Sequence, residues 1–464
     1  MENFWDYSVW GGFNLVAVLL LSLVVANLLK KGSKFLRASL IPAPVLAGLL
    51  LIIVAAVFKF FTKRIMFDTP FFGGDGTAKL ELITYHTLAL GFIASTFRST
   101  NSKLTKKRSS EIFNTGVTTV ATYLLQGVVG LIISFLSVLI IKDFFPAAGL
   151  LLPFGYGQGT GQAMNYGNIY ETQYGFVGGK SFGLTIAALG FLVASFGGVI
   201  HLNVLKKKGV ITVNATPESS IKDSEIQGAN EIPMQENVDK LTIQIALVAI
   251  AYLIAYLIMY FLGKLLPNMK SVVYGFNFLL GVLAAVLVKG IVKLLLKANI
   301  IHKERINNFL MTRISNFFFD IMVVAGIAAI RFGMLEKYWG IILIMGSLGW
   351  IVTYIYNYFV AKKLFPEYCE EQFLAMFGML TGTASTGIIL LREVDVNFET
   401  PASDNLVLQN FPAIVFGFPL MLLATLAPVK PVLVLIILFG FFLVMNIILF
   451  RSFIFKRRAS KKSE

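Results

Sequence analysis

A single cysteine, Cys369, stands in a chain of 464 residues. No disulfide can close within the chain, and a cysteine-based metal site is not indicated. The three histidines, His86, His201 and His302, lie far apart in the sequence and suggest no metal cluster. Charged residues are scarce at 14%, where soluble domains carry about 25%. No G-x-x-x-x-G-K-S/T pattern occurs, so a phosphate-binding P-loop is poorly supported. No HExxH occurs, so nothing points to a zinc hydrolase, and the chain reads as no enzyme. The opening "MENFWDYSVWGG" lacks the basic region of a signal peptide, so the first apolar run is expected to be retained.

What is abundant is apolar. Hydrophobic residues make up 56% of the chain and aromatics 13%. Runs such as "FNLVAVLLLSLVVANLL" and "PVLVLIILFGFFLVMNIILF" approach or reach about 20 residues, the length that crosses a bilayer. They are continuous rather than alternating, which argues against a β-barrel. The expected fold is an all-α polytopic membrane protein. Spans are read near 9–29, 39–58, 82–97, 114–141, 181–205, 241–263, 272–292, 314–332, 338–361, 406–428 and 430–450. Two stretches, near 146–167 and 372–391, are too broken by Gly, Thr and Ser for spans and are read as re-entrant.

The net charge of +15 calls for no nucleic acid, because basic residues gather in cytoplasmic loops of membrane proteins. Here they follow the odd-numbered spans: Lys30 and Lys31, Lys106 and Lys107, Lys206 to Lys208, Lys293 and Lys297, Lys362 and Lys363, Arg457 and Arg458. This places a multi-pass protein in the cell membrane with its N-terminus outside and its C-terminus in the cytoplasm. The loop with Lys59, Lys63, Arg64 and Lys79 is an exception.

The one long polar insert, "GVITVNATPESSIKDSEIQGANEIPMQENVD" (209–239), reads as a flexible cytoplasmic linker. The expected organisation is a first membrane repeat over 1–205, a linker over 206–239 and a second repeat with an extra C-terminal helix over 240–464. Five spans per half is an odd number, so the second half enters from the opposite face. That is the arithmetic of an inverted-topology repeat. A faint echo between "LALGFIAS" (88–95) and "VVAGIAAI" (323–330) agrees with it.

Non-helical backbone at membrane depth must be buried in protein or line a wet cavity. "FGYGQGTGQAMNYG" (154–167) offers such backbone, with Gly157, Gln158, Gly159, Thr160, Gly161, Gln162 and Asn165 as candidate substrate-binding residues. "FGMLTGTASTGIILLREVD" (377–395) stands at the matching place in the other half, with Gly382, Thr383, Ser385, Thr386 and Arg392 as candidates. Paired polar breaks of this kind mark transporter sites. An extracellular loop tip with turn glycines, or small-residue helix packing, are the plainer readings. Arg392 either captures a carboxylate or neutralises Glu393 or Asp395 at the surface.

Asp320 lies inside the eighth span, where an ionisable group is a functional candidate by default. With Asn316 and Thr381 it makes a candidate Na⁺ set; a structural hydrogen bond is the alternative for Asp320. Gln126 reads as an interhelical hydrogen bond, His86 as an interfacial residue at the start of the third span, and Trp350 as packing.

The chain resembles the sodium/glutamate symporter family over nearly its whole length. "GQGTG" (157–161) resembles the family's G-G-x-G-x-G motif, "FGMLTGTASTG" its second-half counterpart, and "IPAPVLAGLL" (41–50) the proline-containing start of its second span. "YGF" at 174–176 follows the first loop as in relatives, whereas Tyr156 and Leu380 stand where glycines are expected. The resemblance implies sodium-coupled uptake of glutamate or a related amino acid or carboxylate anion by alternating access. It implies Na⁺ as coupling ion with no covalent cofactor, and a homodimer with a scaffold and a moving domain in each protomer. It also places Gly157 to Gly161 in the first substrate and ion loop and Gly378, Gly382, Thr383 and Thr386 in the second. The other reading from the residues is a channel or passive exporter for a small anion.

Overall fold

The computed structural model describes residues 3–98, 105–209, 231–232, 238–395 and 399–454. Among these the chain is helical, with one isolated bridge between Glu231 and Glu304 as its extended pairing. In chain order the helices that matter here are α1 (Tyr7–Gly32), α2 (Ala43–Thr62), α3 (Gly76–Phe97), α4 (Lys106–Ile140), α5 (Leu151–Tyr174), α6 (Gly179–Lys207), α7 (Lys240–Leu265) and α8 (Asn277–Lys297). Then come α9 (Asn308–Ala328), α10 (Trp339–Leu364), α11 (Cys369–Thr381), α12 (Ala384–Arg392), α13 (Ala402–Leu408), α14 (Asn410–Leu426) and α15 (Pro431–Leu449).

Ten helices are long and apolar enough to cross a membrane, and the pair Ala402–Leu408 and Pro412–Leu426, bent by 49°, makes an eleventh. Each of the eleven hydropathic runs is thus helical. The bend falls where Pro412 removes a backbone donor.

Several helices begin earlier than hydropathy suggests, α3 and α4 among them. The polar start of α3 is held because Asp68 Oδ1 accepts from the Thr77 backbone N–H at 2.9 Å. His86 therefore sits mid-helix rather than at a span start, with Nδ1 2.7 Å from the Tyr252 hydroxyl. In α4, Thr105 accepts from the Arg108 N–H at 3.2 Å, and Arg108 pairs with Glu111 at 2.6 Å, so the first turns are helical despite their charge.

The described residues form two compact units, and α1 and α2 are each divided between them. The first unit contains α3, α7, α8 and α9. Its core is a stripe from each: Ile93, Ala94 and Phe97; Val248 and Ala251; Ala285, Val288 and Val292; Met311 and Ile314. Lipid tails are as apolar as leucine, so burial alone does little to join helices in a bilayer; close packing and hydrogen bonds do more. Accordingly Gly91 receives the edge of the Phe319 ring, and Ser315 Oγ donates to the Gly91 carbonyl at 2.9 Å. These contacts join α3 to α9, the two helices that share the sequence echo. Asn277 Nδ2 donates to the Tyr85 carbonyl at 2.9 Å and ties α8 to α3.

Most of the linker lies outside the described residues. Glu231, near its end, accepts from Lys240 Nζ at 2.8 Å and from Asn307 Nδ2 at 2.6 Å, which fastens the chain to the start of α7. The second unit contains α4, α5, α6 and α10 to α15.

Candidate functional site

Helix α5 is interrupted at Gly159, whose φ of 79° and ψ of −172° fall in a region essentially reserved for glycine. The chain folds back there. The rings of Phe154 and Tyr166 stack at 3.8 Å and 3°, although a straight helix would hold them about 18 Å apart. The first half descends along α4, with Gly149 backbone against Gly130 and Gly157 against the Tyr123 ring. The second half returns along α6, with Ala163 against Gly183 and Gly167 against Gly179. Both ends of this helical hairpin therefore lie where α4 finishes and α6 begins.

A second hairpin is built by α11 and α12. Gly382 (φ −144°, ψ −105°) and Thr383 (φ −142°, ψ 169°) break the helix between them. The arms pack directly, Gly378 against Gly387, and Gly387 against the Ala375 carbonyl.

The two breaks converge on the same helices. On α4, the Tyr123 hydroxyl donates to the Gly157 carbonyl at 2.9 Å, and one turn later Gln126 Nε2 donates to the Leu380 carbonyl at 3.0 Å. On α6, a Cβ at Gly190 would fall on the Thr381 carbonyl and lie 2.9 Å from the Tyr156 ring, so only glycine fits between the hairpins. On α10, the Gly346 carbonyl accepts from the Tyr156 hydroxyl at 2.6 Å and Thr353 Oγ1 accepts from Gln126 at 2.8 Å. Two helix C-terminal ends, which present carbonyls, and two helix N-terminal ends, which present N–H groups, are gathered at the breaks.

Along α4 a polar face leads from its first turns toward this point. Thr115, Thr118, Thr119 and Thr122 are buried, and each hydroxyl donates to the carbonyl four residues back, at 2.8, 2.7, 3.1 and 2.8 Å. Neighbours reach the same hydroxyls: Gln372 Nε2 bonds Thr115 Oγ1 at 3.2 Å and Asn357 Nδ2 bonds Thr122 Oγ1 at 3.3 Å.

The sodium/glutamate symporter family model matches residues 12–372, well over half of the chain. The chain belongs to the sodium/glutamate symporter family. No curated protein matches it. The matched part of the symporter holds the whole first hairpin and stops inside α11, ahead of the second break.

Of the residues singled out from sequence, Gly157 to Gly161 form the first tip of the symporter, and Thr381, Gly382, Thr383 and Thr386 the second. Ser385 is exposed on the first turn of α12. Gln162 and Asn165 are buried in the returning arm, Asn165 Nδ2 lying 3.4 Å from Gln162 Oε1. Arg392 is exposed at the far end of α12, about 12 Å of helix from its start, and is not brought to the break. Asp395 caps the following loop, accepting from the N–H groups of Glu399 and Thr400 at 2.8 and 2.9 Å. Asp320, half-buried, and Asn316 lie on α9 in the first unit, Thr381 in the second, so neither unit alone assembles that trio.

Gln126 makes the interhelical bonds expected of it, and Trp350 packs its indole against Gly197. Sequence reading passes over Tyr123, Thr353 and Asn357, and notes Tyr156 only as a departure from the family motif. The threonine spacing on α4 was the available signal, since residues three and four apart share a helix face.

Proposed function

We propose that this symporter couples the inward sodium gradient to uptake of glutamate or a closely related amino acid or carboxylate anion, by alternating access. The observation that carries the reading is the convergence of two glycine-broken hairpins on α4, α6 and α10. The returning arms begin at Thr160 and Ala384, and the N–H groups of a helix N-terminal end suit substrate carboxylates. The descending arms end in carbonyls that suit a cation. Gly157 to Gly161, Gln162, Asn165, Gly382, Thr383, Ser385 and Thr386 form the substrate site in this reading. Asp320 and Asn316 on α9, and separately Thr381 at the second tip, are assigned to sodium. The hairpins are re-entrant, entering from opposite faces, and belong to inverted repeats over 1–205 and 240–464 joined by a cytoplasmic linker. The N-terminus is outside, the C-terminus is in the cytoplasm, and the protein works in the cell membrane as a homodimer whose second unit moves in elevator fashion.

Purified protein in sealed liposomes tests this directly. An inward sodium gradient should drive labelled glutamate above its external level, and collapsing the gradient should release it. Equilibration without accumulation would identify a channel or passive exporter. Competition by a panel of amino acids and dicarboxylates defines the substrate.

A further inference from the structure

Two amide oxygens in the second unit are buried without a donor, Gln126 Oε1 and Asn357 Oδ1. Both side chains are sealed, at 0% and 2% exposure. Their orientation is fixed by what their nitrogens touch. Gln126 Nε2 donates to the Leu380 carbonyl at 3.0 Å, and Asn357 Nδ2 donates to the Thr353 carbonyl at 2.9 Å. A carbonyl can only accept, so in each case the nitrogen must face it and the oxygen must point elsewhere. Gln126 also donates to Thr353 Oγ1 at 2.8 Å, so both side chains are anchored on the same residue of α10.

Buried acceptors of this kind are normally paired. What these two lack is positive charge or a proton. Among the described residues no three His, Cys, Asp or Glu side chains gather to hold a metal. Two neutral amide oxygens without a carboxylate suit a monovalent cation better than Ca²⁺ or Mg²⁺, which favour charged oxygen ligands. The contact with Leu380 also sets Gln126 against the last turn of α11, the negative end of that helix dipole.

We propose that Gln126 Oε1 and Asn357 Oδ1 are ligands of a sodium ion held between α4 and α10 beside the second break. The inference rests on the sodium coupling proposed above and assigns a second set of ligands, separate from Asp320 and Asn316. The ion sits where its occupancy fixes the C-terminal end of α11, and with it the position of Gly382 and Thr383.

The test is sodium binding to the purified full-length protein without substrate. It is read as the sodium-dependent rise in Tm in detergent against choline at equal ionic strength, and as bound ²²Na⁺. Wild type should be stabilised by sodium and not by choline. Gln126→Met and Asn357→Leu, which keep volume and remove the oxygen, should raise the half-saturating sodium concentration at least about tenfold. If either variant fails to fold, Asn357→Asp keeps the oxygen and adds charge; it should lower the half-saturating sodium concentration and lose that gain on acidification. Wild-type sodium response in the variants would mean an ordered water only and would overturn the site, as would an equal response of wild type to choline. Sodium-driven uptake with unaltered binding in the variants would sink this site and leave the symport reading intact. Altered binding without sodium-driven uptake would do the reverse.

Discussion

Replacing Gly190 by alanine isolates the meeting of the two hairpins. Gly190 is inside α6, so alanine there gains about 0.8–1 kcal/mol of helix propensity. Against this, the methyl group falls on the Thr381 carbonyl and 2.9 Å from Tyr156 Cδ1. Neither neighbour yields easily. The carbonyl is backbone, and Tyr156 is fully buried with its hydroxyl bound to Gly346 at 2.6 Å. Overpacking costs about 1–3 kcal/mol, and a backbone neighbour puts this case in the upper half of that range. The net cost is about 1–2 kcal/mol, or roughly a 5–30-fold loss if it falls on the arrangement that binds substrate. Substrate concentration dependence of uptake in liposomes and Tm in detergent are the measurements. Gly440→Ala in α15 is the control, since nothing lies within 4 Å of its added Cβ; it should transport normally. Wild-type affinity and melting in Gly190→Ala would mean that the breaks do not meet on α6.

Gly159→Leu should insert and reach the membrane yet lose uptake, because leucine at φ 79° and ψ −172° costs about 1–3 kcal/mol in backbone strain alone; normal uptake would make 154–167 an ordinary loop. Arg392→Lys should leave apparent substrate affinity within about twofold, since this exposed residue ends α12 away from the break; a loss of about 1.5–3 kcal/mol, the scale of a charge-assisted hydrogen bond, would return it to the site. A cysteine introduced at Ser224, after Cys369 is replaced, should resist an impermeant thiol reagent in intact cells and react in inverted membranes. Labelling from outside would invert the topology.

The apolar runs and the glycine breaks were legible because each has a local cause: bilayer length for one, backbone freedom for the other. Gly159 and Gly382 both fall inside the stretches that hydropathy left over. Helix starts were less legible, because the caps lie outside the hydrophobic pattern. Asp68 stabilises α3 from nine residues away, and Arg108 with Glu111 makes the charged start of α4 helical. The site was half legible. The glycines and threonines at the two breaks could be read locally, whereas Tyr123 and Tyr156 reach Gly157 and Gly346, contacts no sequence window spans. The distance of Arg392 from the break depends on where the helix resumes, which the sequence does not mark; it resumes at once, at Ala384.

The threonine face of α4 bears on how neighbours can shift. The protons of Thr115 and Thr122 are committed within the helix, leaving lone pairs to face outward, whereas Thr119 between them also reaches outward to Gln409 Oε1 at 2.9 Å. Gln372 and Asn357 hold on to those lone pairs by long bonds, at 3.2 and 3.3 Å. An amide that let go of Thr115 would meet Thr119 one turn along, a hydroxyl already bonded to Gln409 Oε1. A polar contact in a membrane interior locks two elements in register, and on this face the bond from Thr119 to Gln409 is the pin that fixes it.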